Sequence, residues 1–136
     1  MATFTATSGT NTFNGTTASD TYIIDGGTVQ AADTFNAGGS PGVDVIQIGS
    51  ATLGTIVVLS AGATNGTQGF IGFEGITFIN TTATSTAIFS SAQFSSTLIS
   101  NSVAITGTSG TQAIVVNVAA SGSFTAAGWG FNTWTS

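Results

Sequence analysis

Residues 11–46 read NTFNGTTASD TYIIDGGTVQ AADTFNAGGS PGVDVI, and one phrase recurs through them. An Asn or Asp stands two residues before a large apolar side chain in Asn11-Thr12-Phe13, Asp20-Thr21-Tyr22, Asp33-Thr34-Phe35 and Asp44-Val45-Ile46. Beyond this stretch the chain continues as short β-branched or aromatic runs: Ile56-Val57-Val58-Leu59, Ile76-Thr77-Phe78-Ile79, Ala87-Ile88-Phe89, Val103-Ala104-Ile105 and Ile114-Val115-Val116-Asn117-Val118. Each has the length of a strand. The clusters between them, such as Gly26-Gly27, Gly38-Gly39-Ser40-Pro41-Gly42, Asn65-Gly66 and Gly107-Thr108-Ser109-Gly110, leave no room for a helix. The chain reads as all-β.

Strand centres fall about 9 to 13 residues apart, a spacing shared by sandwiches, barrels and parallel β-solenoids. The loops separate these. Sandwich hairpins carry tight Asn-Gly or Asp-Gly turns between alternating strands, whereas the one Asn65-Gly66 sits in a long Ala/Gly/Thr segment. Short strands joined by small-residue corners fit a right-handed parallel β-solenoid of roughly six coils, β-roll-like at its N-terminal end. A β-sandwich is the alternative. With 136 residues there is room for one domain, 1–136, divided into repeats over 1–50 and Thr/Ala/Ser-rich strands over 51–136.

Charged residues make up 4% of the chain, against about 25% in ordinary domains. With no Lys, Arg or His, the carboxylates Asp20, Asp25, Asp33, Asp44 and Glu74 have no cationic side chain to pair with, and no salt bridge is expected. A net charge of −5 without a basic residue lacks the electrostatic footprint of nucleic-acid binding or of attachment to anionic lipid. A hydrophobic content of 41% is too high for a disordered chain. No apolar run reaches the ~18 residues of a membrane span, so no membrane insertion is expected. The opening Met1-Ala2-Thr3-Phe4-Thr5 has neither the basic nor the apolar region of a cleaved signal peptide. The expectation is a soluble protein, exported without a cleaved N-terminal signal.

Gly39-Ser40-Pro41-Gly42-Val43-Asp44-Val45-Ile46-Gln47 resembles the glycine-rich nonapeptide GGxGxDxUx of the RTX β-roll at both outer glycines, the Asp and the apolar position. Gly15-Thr16-Thr17-Ala18-Ser19-Asp20-Thr21-Tyr22-Ile23 is similar to it with two of the three glycines lost. Residues 1–50 are thus identified as degenerate RTX-like repeats. From Gly72 onward, Gly72-Phe73-Glu74-Gly75-Ile76-Thr77-Phe78-Ile79-Asn80, Ala87-Ile88-Phe89 and Ser123-Phe124-Thr125-Ala126-Ala127-Gly128-Trp129 resemble the Thr/Ala/Ser-rich β-repeat regions of large bacterial RTX-related surface and S-layer proteins. The resemblance implies right-handed parallel coils, export by type I secretion through an uncleaved C-terminal signal, and Asp side chains that hold calcium with turn carbonyls.

General acid-base and nucleophilic catalysis draw on His, Cys, Lys or paired carboxylates, and only carboxylates are present. Asp20, Asp25, Asp33 and Asp44 lie beside turn glycines, where Asp serves local backbone hydrogen bonding. The chain therefore reads as no enzyme. Asp20, Asp33 and Asp44 supply the hard oxygen ligands that Ca2+ needs, and the competing reading makes them turn-formers with Asn11 as an uncharged relic. Asp25 and Glu74 are weaker candidates, Glu74 as a solvated edge residue. Trp129, Phe131 and Trp134 near the C-terminus read as a cap over the last coil, a docking surface or a sugar platform.

The chain carries no Lys, its single proline Pro41 lies in a turn, and Phe4 sits in an alternating strand-like segment. These features point to a self-assembling extracellular subunit of a filament, matrix or surface layer. It would polymerise with copies of itself, head-to-tail through strand edges, with Phe4, Trp129, Phe131 and Trp134 at the contact. The alternatives are a calcium-binding adhesin or RTX-type module and a secreted carbohydrate-active enzyme, with cell-surface glycans as a further candidate partner.

Overall fold

Residues two apart on a strand share a face, so each recurring Asn or Asp travels with the apolar residue that follows it. The computed structural model describes residues 1–39, 41–49, 56–59 and 69–134, without side-chain detail at 27 and 28. Among them the strands stack into three sheets. The longest orders β1 (Thr3–Thr5), β3 (Thr21–Ile24), β6 (Val45–Ile48), β9 (Phe73–Phe78), β11 (Ile99–Thr106) and β13 (Gly130–Asn132). The second orders β4 (Gly27–Thr28), β7 (Ile56–Val58), β10 (Thr84–Ser90) and β12 (Thr111–Asn117); the third β2 (Thr12–Asn14), β5 (Thr34–Asn36) and β8 (Gly69–Ile71).

Every strand pairing among the described residues is parallel, and the chain visits the sheets in turn, β3–β4–β5 and then β6–β7–β8. The protein is an all-β solenoid, which sets aside the antiparallel sandwich. The count of roughly six coils needs correction. Among the described residues six strands stack on one side but three in the third sheet, so the three-sided circuit closes about three times. The Asn65-Gly66 segment lies outside the described residues.

In-register pairing puts like positions over one another. The row Phe4, Tyr22, Ile46, Ile76, Ile105, Phe131 runs the length of the longest sheet, and Phe13, Phe35 and Phe70 form a row on the third. Tyr22, Ile46, Ile76, Ile105, Phe35 and Phe70 are buried. The Phe35 and Phe70 rings stack with centroids 4.9 Å apart, and Phe4 stacks on Tyr22 at 4.8 Å. These spacings match the ~4.8 Å separation of paired strands, so the backbone repeat itself sets the aromatic stacking.

Corners must be thin for coils to approach this closely. A Cβ on Gly42 would lie 2.5 Å from the backbone of Ala18 and Ser19, one circuit earlier, and one on Gly15 would lie 2.4 Å from the carbonyl oxygen of Ala37. One irregularity stands out. Between the pairs Ile99–Phe73 and Ala104–Gly75, β11 shifts register against β9, so residues 100–103 face a single residue of their neighbour.

Candidate functional site: a carboxylate ladder and two open ends

The Asn and Asp residues of the repeat turn into the corners and are buried: Asn11, Asp20, Asp33 and Asp44 are each 5% exposed or less. Buried carboxylates with no cationic side chain to pair with need another source of positive potential, and backbone N–H groups, several of them from the adjacent coil, provide most of it. Asp20 accepts from the Ala2 N–H and, at 2.6 Å, from the Thr16 N–H. The Asp20 N–H donates to Asp44 at 2.7 Å, and the Asp44 N–H donates to Glu74 at 2.8 Å. Asp20, Asp44 and Glu74 thus form one ladder, each accepting from the coil before it.

A second ladder occupies the corner before the third sheet. Asp33 accepts from the Asn11 N–H at 2.7 Å and the Gln30 N–H at 2.6 Å, and Asn11 accepts from the Thr7 N–H at 2.9 Å. The structure therefore brings Asp20 and Asp44 together and places Asp33 with Asn11 at a different corner. Among the described residues no group of three or more acidic side chains has the geometry to hold a metal ion.

Position along the ladder decides the electrostatics. Asp20, at its end, is held below the ordinary carboxylate value, chiefly by the Thr16 N–H; burial opposes this, and the Ala2 N–H, the Thr16 hydroxyl and the α-amino group of Met1 add to it. That amino group lies 3.9 Å from Asp20, which corrects the expectation of no salt bridge: the cation is a chain terminus, not a side chain. Asp44, inside the ladder, is pushed up by burial and further by the Glu74 and Asp20 charges, against the Asp20 N–H that favours its ionised form. Tyr22 is raised by burial first and then by Asp20 and Asp44, and its hydroxyl donates to the Asn36 carbonyl.

Several residues of this system escaped the sequence reading. Glu74 is exposed but is no mere solvated edge residue, since it caps the Asp44 N–H. In later coils amides take over. Asn80 accepts from the Thr82 and Ala83 N–H groups, and Gln93 donates to the Leu59 carbonyl at 2.7 Å while accepting from the Ser90 N–H. Both are buried. The signal that marks Asp20 and Asp44, a polar residue two before an inward apolar one, is missing at Gln93.

The assembly candidates lie toward the two ends. Phe4 is half-buried over Tyr22 and Phe13. Trp129 is half-buried, its ring 5.1 Å from Phe94 and 5.4 Å from Phe124, and Trp134 packs on Phe78 at 5.7 Å. Phe131, the last rung of the long row, is 52% exposed. Trp129 and Trp134 thus lean onto the core, and the half-exposed Phe131 ring lies against both, with centroids 6.3 and 5.6 Å away. No family model, curated protein or solved structure matches this chain.

Proposed function

We propose that this chain is a non-catalytic, self-assembling structural subunit that works outside the cell or at its surface, growing head-to-tail by adding solenoid to solenoid. One observation carries the reading. The row from Phe4 to Phe131 begins and ends on rungs with no outer neighbour among the described residues, beside edges of β1 and β13 that no described strand pairs with. Neither Thr3-Phe4-Thr5 nor Gly130-Phe131-Asn132 carries the Lys, Pro or inward charge that usually blunts an exposed edge. Stacking β13 of one copy against β1 of the next would continue the parallel ladder and cover both rings. The RTX-like repeats support the extracellular placement.

Negative-stain microscopy and light scattering across a concentration series test this. Unbranched filaments are expected, lost in Phe131→Lys and in Phe4→Lys while each variant keeps its β circular dichroism. A wild type that stays monomeric at millimolar concentration, with and without calcium, overturns the proposal. That result would favour the second reading, a calcium-binding RTX-type module whose edges are covered by further coils of a longer chain.

A further inference from the structure

The register shift in β11 has a chemical consequence on the outside of the solenoid. Residues 100–103 bulge from the ladder, and bulges re-aim side chains that a regular strand would hold in line. Facing them, the loop from Val118 to Trp129 returns toward β13. At Gly128 it comes so near that a Cβ would lie 2.7 Å from the Asn101 carbonyl oxygen. Bulge and loop flank an open recess of about 400 Å3, lined by Phe94 and Phe124 together with Asn101, Ser102, Ser123 and Gly128. That volume falls within the range of small-ligand sites.

The lining selects a ligand class. It holds no charged side chain. A chain with no Lys, Arg or His and a net charge of −5 offers nothing to a phosphate or carboxylate, and a cation would find no carboxylate in this recess. The partly exposed Phe124 supplies apolar surface, with the buried Phe94 packed behind it at 5.3 Å. Beside them the Asn101 amide, with donors and an acceptor, and the Ser102 and Ser123 hydroxyls make no side-chain hydrogen bond among the described residues. Rings next to uncommitted amide and hydroxyl groups suit a molecule with a C–H face and a rim of hydroxyls. We propose that the recess between the β11 bulge and the Val118–Trp129 loop binds a neutral saccharide, with Phe124, backed by Phe94, against its apolar face and Asn101 hydrogen-bonding its hydroxyls.

This site is independent of assembly, so it is tested at dilutions where light scattering reports monomer. Maltohexaose, cellohexaose and chitohexaose are titrated by calorimetry and by tryptophan emission, to which Trp129 contributes through its contacts with Phe94 and Phe124. At least one is expected to bind saturably. Asn101→Ala or Phe124→Leu should weaken it about tenfold, the loss of one well-placed hydrogen bond or ring contact, with melting retained. Saturable binding by none of the three, or binding unchanged in both variants, overturns the proposal.

Discussion

Asp44 is where the ladder is most sharply testable, because two substitutions there separate its hydrogen bond from its charge. Asp44→Ala removes the acceptor 2.7 Å from the Asp20 N–H in a corner where both residues are 1% exposed. A buried donor left without a partner costs about 1–3 kcal/mol. In a chain of this size each kcal/mol moves the melting temperature by roughly 3–5 °C, so a fall of about 3–15 °C is expected. Asp44→Asn keeps an oxygen and removes the charge, and Asn11 shows that an amide serves at such a corner. It should lie within about 1 kcal/mol of wild type at neutral pH, on the stabilising side, since burial and the Glu74 and Asp20 charges all disfavour the ionised Asp44. The pH dependence has a definite sign. Between its ordinary value of 3.8 and its higher folded value, Asp44 holds a proton more tightly in the folded chain than in the unfolded one. Wild type therefore gains stability as pH falls through the folded value, a rise absent from Asp44→Asn. Asp20 acts oppositely: its folded value lies below 3.8, so the stability it contributes is lost as pH falls further. Thermal melts followed by circular dichroism, from neutral to about pH 2, should show a mildly acidic maximum for wild type only. A wild-type curve that falls throughout, in parallel with Asp44→Asn, or an Asp44→Ala protein as stable as Asp44→Asn, refutes the ladder's energetics.

Gly42→Ala should lower stability by about 1–3 kcal/mol, because its Cβ would sit 2.5 Å from the backbone of Ala18 and Ser19 and force two coils apart; denaturant midpoints measure this, and an unchanged midpoint means the corner can open. Calcium would have to compete with the N–H groups that already hold Asp20, Asp33 and Asp44. Melting temperatures in chelator and in millimolar Ca2+ should therefore agree, and a rise of several degrees with calcium would instead assign these carboxylates to a metal.

The legible part of this fold was its local grammar. Tyr22-Ile23-Ile24, Val45-Ile46-Gln47-Ile48 and Ile114-Val115-Val116-Asn117-Val118 announce strands because β-branched and aromatic residues suit a pleated surface packed on one side. All three runs are strands in the structure, the last ending at Asn117. The phrase in which Asp precedes an inward residue by two positions marked the corners as well. What stayed hidden was pairing at long range. Nothing local shows that the Asp44 carboxylate meets the N–H of a residue 24 positions earlier, or that Glu74 extends the same ladder 30 positions on. Those partners exist only once the length of each circuit is fixed. The recess at Asn101 was hidden for a related reason, since it depends on a register shift between two strands and not on the composition of either.

A chain without cationic side chains meets the cost of its carboxylates through direction. Each ladder bond runs the same way, from an N–H in one coil to a carboxylate in the next: Ala2 to Asp20, Asp20 to Asp44, Asp44 to Glu74, and Asn11 to Asp33. Parallel sheets share this polarity, so the edge of β1 and the edge of β13 are different surfaces. Two copies meeting by the same end would have to pair those strands antiparallel and would gain a closed dimer with nothing further to add. Copies meeting by opposite ends continue the parallel register already present from β1 to β13, and each addition recreates the edge it covered. Under the assembly proposed here, growth is therefore open-ended. The contact that continues the sheet is also the one that brings Phe131 against Phe4, so a lysine at either ring should stop elongation without disturbing the coils behind it.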